Sequence, residues 1–490
     1  MDFGRSGVSF WTGSRLASRT VSVVFWMLAL LAAMGLSRLI PPIQSPDEDS
    51  HIGRAYLISQ GDLLLQGVPP VSTGAINTGI NGKGATADDP QASHDGRRFG
   101  GFVDEGLSSF VAAHLDLARQ SDKRFTAAEK AQLGQMKWSG KKQFQVLSGT
   151  GYYFPAVYAP QALGLAIGHK LSLSVGRSYQ LARALTLLVC FALLGLACRQ
   201  LTPNPLLVSV LLLPMSMFQL LSPTIDGLTT SLSVLATSLF LKSADPGRGH
   251  SAPASWGMAI CIFLLATSRT HLLPLLMLPF YLAWRRQSRR DLYLGCWITV
   301  GAVAWTLFAL QSTGEARVVR DHTTAELLLH YATDPMAFFK VVLASLNDSD
   351  LFIFYERSFV GVLGWLDTWL PAYFYPALWV GLAMCGLATV SVASLQRDWS
   401  ARLLLAAVAI ACTGLIFLAL LVTWTPHPAL LVKGVQGRYF VVPAILLSGV
   451  MCGVSTVQSP LRKWLGSLAI AGFAVSSLTA LTMTLLSRYH

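Results

Sequence analysis

The chain has 490 residues, of which 53% are hydrophobic and 13% are charged, and its mean hydropathy is +0.50. Because soluble proteins carry about 25% charged residues, this composition excludes a soluble enzyme and indicates an integral membrane protein. The net charge of +12 would suggest nucleic-acid binding in a soluble chain, but here the basic residues separate apolar runs, as topology signals do, and we expect no nucleic-acid partner.

The first apolar run, at residues 21–40, is long enough to cross a bilayer. Arg5, Arg15 and Arg19 precede it and predict a cytoplasmic N-terminus over residues 1–20, because cytoplasmic flanks carry an excess of basic residues. The segment that follows this span is therefore expected on the extracytoplasmic side.

That segment is polar and reads SPDEDSHIGRAYLISQG from Ser45 to Gly61. An N-cap at Ser45, proline at the first helical position and Glu48 three residues after the cap together predict the start of a helix. Gly61 predicts its end.

On such a helix Asp47, His51 and Arg54 would share one face, and Glu48 would reach His51 at i+3. Both acids would also favour the helix N-terminus by charge alone, where the helix dipole attracts anions. The position of these ionisable groups at the mouth of a membrane bundle favours a functional site in addition to capping.

Residues 62–151 are too polar to span, and they predict a long extracytoplasmic loop with a short amphipathic helix in FTAAEKAQLGQMKW. Residues 152–174 are apolar but contain two prolines, His169 and Lys170. Counting them as a span would move the four arginines of 285–290 outside, against the positive-inside tendency, so we expect an interfacial segment.

Ten further spans are predicted at 179–199, 204–221, 226–242, 254–268, 271–284, 291–312, 372–395, 402–424, 439–456 and 464–486. The fold class is therefore an all-α polytopic membrane protein with about 11 transmembrane helices and an extracytoplasmic C-terminus. The expected domains are a cytoplasmic 1–20, an N-terminal transmembrane module 21–312 that includes an extracytoplasmic loop 41–178, a second extracytoplasmic loop 313–371, and a C-terminal transmembrane module 372–490.

Two outer motifs offer charged side chains. SPTID places Asp226 at the start of a span, where it could cap the helix or contact a substrate or metal. SRTH places Arg269 and His271 at the tip of a short, re-entrant pair of helices, and a guanidinium in a membrane cavity is suited to bidentate binding of phosphate.

Two later motifs lie just before spans. GWLDTWLP contains Trp365 and Asp367, and tryptophans at this depth are commonly interfacial anchors. VKGVQGRYF contains Gln436 and Arg438, and an arginine on the outer side runs against the topology rule, which favours an anionic partner for it.

The seven cysteines all fall inside or at the edge of apolar runs, so neither a disulfide framework nor a cysteine metal site is expected. A divalent metal held by Asp47, His51 and Asp226 is possible, although two ligands at i and i+4 are a weak signal. No cofactor is otherwise indicated.

Five motifs, PPIQSPDEDSHIGRAYLISQG, YYFPAVYAPQALGLAIG, LLPMSMFQLLSPTIDG, VGVLGWLD and VKGVQGRYF, occur in an order that resembles the bacterial membrane proteins of domain of unknown function family 2142. The resemblance runs from about Pro41 to Phe440. That family in turn resembles the GT-C class of integral-membrane glycosyltransferases, in which a large first outer loop bears interfacial helices and an acidic motif after the first span supplies the catalytic base.

The resemblance implies an enzyme of the bacterial inner membrane that faces the periplasm and takes part in cell-envelope polysaccharide biosynthesis. It would move a sugar from a polyprenyl-phosphate-linked donor to a glycan or lipid-linked acceptor beside the lipid bilayer. The SPDE motif is similar to the HPDE of mannosyltransferases of the class, with serine in place of the histidine.

Residue by residue, the implied catalytic base is Asp47, with Glu48 as the second choice. The implied substrate-binding residues are His51, Arg54, Asp226, Arg269, His271, Trp365, Asp367, Gln436 and Arg438, and Arg269 and Arg438 would contact the phosphate. The alternatives are a polysaccharide polymerase or ligase, which would not need Asp47, and a non-enzymatic lipid-linked-sugar transporter, which would bury charges at mid-membrane.

Overall fold

The computed structural model describes residues 10–68, 98–118, 120, 122–245, 247, 250–312, 322–390, 399–452 and 460–490. Most of these residues are helical. In the first half of the chain the helices are α1 (Phe10–Ser37), α2 (Glu48–Ser59), α3 (Glu105–Leu115), α4 (Ala127–Gly134), α5 (Ala159–Lys170), α6 (Val175–Gln200), α7 (Pro205–Leu211), α8 (Pro214–Leu220) and α9 (Ile225–Ala244).

The second half contains α10 (Ala252–Ser268), α11 (Met277–Arg286), α12 (Arg289–Ser312), α13 (Thr324–Thr333), α14 (Pro335–Asn347), α15 (Ser349–Gly361), α16 (Phe374–Thr389), α17 (Trp399–Thr423), α18 (Val441–Met451) and α19 (Pro460–Tyr489). Short 3-10 helices lie at Ser148–Thr150, Pro155–Tyr158, Thr270–Leu276 and Gly437–Phe440. The strands are β1 (Gln66–Val68), β2 (Arg98–Asp104), β3 (Lys142–Val146), β4 (Val362–Leu363) and β5 (Thr368–Trp369).

Several helices are long and apolar enough to cross a membrane. Among the described residues four pass by length and composition, at Val175–Gln200, Arg289–Gln311, Trp399–Thr423 and Trp464–Tyr489. Two bent pairs, α8 with α9 and α13 with α14, pass only when each is taken together, which raises the count to six. In its described part, every span predicted from the sequence coincides largely with helix, while 391–395 and 453–456 lie outside the described residues, and the count of eleven crossings stays a prediction.

Two breaks separate helices in this part of the chain, one inside a predicted span and one between two predicted spans. The segment 204–221 is divided into α7 and α8 because Pro214 has no amide hydrogen to continue the first helix. The break predicted in SRTH is present, since α10 ends at Ser268, Arg269 is extended and a 3-10 helix begins at Thr270. This break lets an arginine leave the helix and reach its neighbours.

The first outer loop packs on the helix bundle. Its three strands form an antiparallel sheet in the order β1-β2-β3, and α4 begins with a capping box between Thr126 and Glu129. With 12 residues, α5 is shorter than the roughly 20 that a crossing needs, which agrees with the predicted interfacial segment. It lies close against α6, where a Cβ on Gly164 would come within 2.3 Å of the Ala182 backbone.

The segment predicted as a second outer loop is mainly helical. Its described part contains α13, α14 and α15, followed by the hairpin of β4 and β5. Gly364 and Leu366 in that hairpin have φ of 63° and 64°. The sequence therefore underestimated the regular structure of this region.

The end of α19 reaches the first outer loop. Arg488 donates hydrogen bonds to the carbonyls of Leu117 at 2.5 Å and Lys123 at 3.1 Å, and Arg124 donates to the carbonyl of Ser487 at 2.6 Å. These contacts place the C-terminal end of the chain on the same side as the first loop.

Candidate functional site

The turn from Ile43 to Asp47 leads into α2 and differs from the predicted cap. The prediction of Ser45 as N-cap is wrong, because α2 begins at Glu48 after a left-handed Asp47 with φ of 60°, and the Ser45 hydroxyl has no hydrogen-bond partner among the described residues. The Glu48 carboxylate does reach back as a capping box would, accepting the amides of Ser45 at 2.9 Å and Ile43 at 3.2 Å.

The predicted end of the helix is confirmed. Gly61 has φ of 96°, the amide of Gly61 donates to the carbonyl of Ile58 at 3.0 Å, and the amide of Asp62 donates to the carbonyl of Leu57 at 2.9 Å. This pair of bonds is a Schellman motif, in which glycine takes the left-handed position.

Four charged side chains from distant parts of the chain meet beside this turn. We call Asp47, Asp226, Arg269 and Arg438 the ion-pair cluster. Arg438 Nη2 lies 2.9 Å from Asp47 Oδ2, and Arg438 Nη1 lies 3.3 Å from Asp226 Oδ2. Asp226 Oδ1 also accepts from Arg269. Two carboxylates and two guanidinium groups therefore form one chain of ion pairs.

Each member is held by a break in regular structure. Asp226 is in the first turn of α9, whose N-cap is Thr224. Arg269 follows the end of α10. Arg438 lies in the 3-10 helix before α18, and its neighbour Gly437 is required because a Cβ there would come within 1.9 Å of the Phe359 amide nitrogen.

The cluster is buried at one end and open at the other. The Arg438 side chain is 2% exposed and Asp226 is 11% exposed, whereas Asp47 is 40% exposed. Buried charges need partners, and the pairing supplies them for both arginines. Asp47 is thus the most solvent-accessible member of the cluster.

Tyrosine rings line the arginines. The Arg269 guanidinium lies 5.1 Å from the centre of the Tyr153 ring, and Arg438 lies 5.2 Å from that of Tyr439, both within cation–π range. His271 lies beside Tyr439, with ring centres 6.4 Å apart. The tyrosines leave few directions from which water can reach the arginines.

His51 lies next to the cluster on a tyrosine pair. Its Nδ1 is 2.8 Å from the Tyr158 hydroxyl, and its ring stacks on Tyr153 with centres 5.8 Å apart. Burial lowers the pKa of His51 to about 4, although the carboxylates of Asp226 and Asp47 oppose the shift. At pH 7 this lowered pKa leaves the imidazole neutral, so His51 can form hydrogen bonds without adding charge to the cluster.

Glu48 belongs to a different group of contacts. Its carboxylate accepts from the Tyr179 hydroxyl and lies 4.0 Å from Arg183 Nη2, while Arg183 also donates to the carbonyls of Ser37 at 2.7 Å and Ile40 at 2.8 Å. Complete burial raises the pKa of Glu48, opposed by the Arg183 charge. These contacts join the end of α1 to α2 and α6, and they hold Glu48 in a buried group separate from the ion-pair cluster.

The predicted common face of Asp47, His51 and Arg54 does not form. Because Asp47 precedes the helix in a left-handed conformation, it leaves the helical row. Arg54 is buried and donates to the Leu63 carbonyl at 2.5 Å, and its Nε and Nη1 have no hydrogen-bond partner in the part of the chain that the structure describes. The structure does not place Arg54 among the residues of the ion-pair cluster.

The remaining predicted site residues, Trp365, Asp367 and Gln436, are not members of the ion-pair cluster. Trp365 Nε1 donates to the Ile43 carbonyl at 2.9 Å, so it supports the turn before Asp47. Asp367 lies 3.9 Å from Arg488, in the contact between hairpin and C-terminus. The Gln436 side-chain oxygen is buried with no hydrogen-bond partner among the described residues.

No group of three or more His, Cys, Asp or Glu side chains that could hold a metal is found in the described ranges, so the possible metal set is not assembled.

Sequence reasoning missed Tyr153, Tyr158, Tyr179 and Arg183. A signal was available for Arg183, an ionisable residue within the apolar run of α6, since such residues are expensive in a membrane and are commonly paired. The tyrosines of YYFPAVY carried a weaker signal, because aromatic residues are common at any membrane interface.

The fold defines the class as a multi-pass helical membrane protein with an ion-pair cluster where helices break. The chain belongs to domain of unknown function family 2142 (DUF2142), described as a predicted membrane protein, whose family profile matches residues 28–447. This range contains all four residues of the ion-pair cluster. No curated protein and no solved structure matches the chain.

Proposed function

We propose that the protein is a membrane glycosyltransferase that moves a sugar from a polyprenyl-phosphate-linked donor to a glycan or lipid-linked acceptor on the extracytoplasmic side of the inner membrane. The observation that carries the proposal is the ion-pair cluster, in which an accessible carboxylate, Asp47, shares Arg438 with the buried Asp226. Sugar transfer from such a donor needs a base for the acceptor hydroxyl and cations for the leaving phosphate, and the cluster contains both types of group.

The pairing suggests an order of events. The two arginines and two aspartates cancel in charge, so a donor phosphate must take Arg438 or Arg269 from a carboxylate. Arg438 can bind phosphate with its two terminal nitrogens, which now contact two different aspartates. When the phosphate takes the nitrogen that holds Asp47, that carboxylate becomes available to accept the proton of the acceptor hydroxyl.

In this mechanism the proton of the acceptor hydroxyl goes to Asp47, the acceptor oxygen forms the new bond to the anomeric carbon, and the bond between that carbon and the phosphate oxygen breaks. The phosphate leaves with the electron pair of the broken bond, and Arg438 and Arg269 stabilise its negative charge. His51 orients the acceptor as a neutral partner. Asp226 positions the two arginines.

The proposal is tested by comparing surface glycans of a deletion strain with wild type by mass spectrometry, and by assaying the purified protein with a panel of polyprenyl-phosphate-linked sugars. We expect one glycan to lose a sugar, and transfer in vitro to depend on Asp47. Loss of whole glycan chains with Asp47→Asn fully active would favour the polymerase or ligase alternative. Movement of the lipid-linked sugar across vesicles without transfer would favour the transporter.

A further inference from the structure

Helices α13 and α14 have an apolar outer face that no part of the described chain covers. The two helices are joined at Asp334 and bent by 100°, so they do not form one straight crossing. Their inner face packs in a cluster that contains Leu327 and Tyr331 together with Phe417 and Leu421 from the end of α17. The pair of helices therefore lies beside one end of a candidate span.

Large apolar side chains dominate the opposite face. The exposed ones are Leu328, Leu329, Met336, Phe339, Leu343 and Leu346 and, on α15, Phe352 and Ile353. Phe339 is 54% exposed and Leu329 is 66% exposed, as Ile410 is at 70% on α17 itself. Exposed apolar side chains are thus present both on the candidate span and on the two helices that pack against its end.

Helix α4 differs from α13 and α14 in its composition. Both α4 and α13 begin with a capping box that contains a glutamate, but the eight residues of α4 include no buried one and also carry Lys130. Over their 23 residues, α13 and α14 carry two charged side chains, Glu326 and Lys340, among many large apolar ones. Lysine at the edge of an apolar face can extend its amine to lipid headgroups while its stem stays in hydrocarbon. The composition of α4 fits water, and that of α13 and α14 fits a bilayer interface.

We propose that α13 and α14 lie in the membrane leaflet on the side of the ion-pair cluster, with their outer face in lipid hydrocarbon. The occupant is lipid because the two helices pack against the end of a candidate membrane-crossing helix whose own exposed side chains are equally apolar. The position of these helices affects the ion-pair cluster, because they contact the segment before Arg438. Ser345 on α14 accepts a hydrogen bond from the amide of Val432 at 2.8 Å, and Ser358 on α15 accepts one from the amide of Gly437 at 2.8 Å. The bilayer thereby supports the segment that presents Arg438.

The test uses spin labels on single cysteines in the cysteine-free full-length protein, reconstituted in phosphatidylethanolamine–phosphatidylglycerol vesicles. Labels at Leu329→Cys and Phe339→Cys are compared with Ile410→Cys in the span and Lys130→Cys on α4. We expect collisions with oxygen to exceed those with a water-soluble nickel chelate several-fold at 329, 339 and 410, and the reverse at 130.

Two outcomes overturn the proposal. Nickel collisions at 329 and 339 that match those at 130 would place the helices in water. Low collision rates for both reagents, with dipolar coupling between labels of two molecules, would show that a second copy covers the face. If Phe339→Cys does not fold, Leu343→Cys provides the same measurement on α14.

Discussion

Two groups of ion pairs share the start of α2, and they differ in their access to solvent. Asp47 joins the ion-pair cluster and is 40% exposed, whereas Glu48, the next residue, is fully buried with Tyr179 and Arg183. The first group contains two arginines from outer breaks in helices, and the second ties α1, α2 and α6 together. Neighbouring carboxylates can thus have unrelated roles.

The difference follows from one backbone conformation. Asp47 adopts φ of 60°, which aspartate tolerates better than most residues, and it stands before the helix that begins at Glu48. Ile43, a β-branched residue, also has a positive φ of 63°. Strain of this kind persists only where the surroundings hold it, and here Glu48 binds the Ile43 amide and Trp365 binds the Ile43 carbonyl.

Removing the shared carboxylate should have the largest effect on stability. In Asp226→Ala, Arg269 loses its carboxylate partner and Arg438 keeps only Asp47. An uncompensated buried charge costs about 3–5 kcal/mol, so we expect a loss of this order in the free energy of unfolding, measured in detergent by denaturant titration. The exposed Asp350→Ala is the control and should lose less than about 1 kcal/mol. Equal stability of the two variants would contradict the pairing.

Replacing the shared guanidinium should affect donor binding. Arg438→Lys keeps the charge but cannot contact Asp47 and Asp226 with separate nitrogens. Losing one hydrogen bond to a charged group, about 1.5–3 kcal/mol, corresponds to roughly 10- to 100-fold weaker binding of a labelled polyprenyl-phosphate-linked sugar. Arg357→Lys, which alters an arginine beside Trp369 and Tyr375, should bind as wild type does. Unchanged affinity in Arg438→Lys would remove this arginine from phosphate recognition.

The hydrogen bond from Trp365 to the Ile43 carbonyl should contribute measurably to the stability of the turn before Asp47. Trp365→Phe keeps the ring but loses the donor to the Ile43 carbonyl, which is worth about 1 kcal/mol of stability. Amide exchange in residues 41–50 should become faster, as followed by mass spectrometry. Trp369→Phe, in the same hairpin, is the control. If both variants exchange alike, Trp365 does not hold the turn.

The pH dependence of stability should be the smallest effect. Burial holds the pKa of His51 near 4, below the unfolded value of about 6.5, so the unfolded state binds more protons and stability is lost as pH falls from about 6.5 towards 4. Between pH 7 and 6 the expected loss is about 0.7 kcal/mol from this residue. His114, whose pKa burial also lowers to about 4, adds a similar slope. His51→Gln should therefore make the profile less steep, and an unchanged slope would contradict the assignment.

The sequence predicted the residues of the ion-pair cluster one at a time, each from its own local signal. Arg269 and Arg438 were marked by charge on the outer side, and Asp47 and Asp226 by their places at helix starts. Their pairing could not be predicted, because the four residues are far apart in the chain and meet only through tertiary packing. Helix positions were predicted well, since apolar runs and prolines are local signals.

The errors have local causes. Ser45 matched a capping pattern, but the turn leaves its hydroxyl without a partner among the described residues and shifts the helix start to Glu48. That shift removed Asp47 from the helical face expected with Arg54. The helices of 324–361 were overlooked because each is short and the sequence there has no continuous apolar run long enough to span a membrane.

The central claim is that Asp47 acts in the chemistry and Glu48 in the structure. The most direct measurement compares Asp47→Asn and Glu48→Gln for sugar transfer per folded molecule and for melting temperature. General base catalysis typically contributes about 10²- to 10⁴-fold, so Asp47→Asn should lose turnover by that factor with little change in melting temperature. Glu48→Gln should lose about 1–3 kcal/mol of stability while the folded molecules stay active. A folded, fully active Asp47→Asn, or a stable but inactive Glu48→Gln, would contradict the claim.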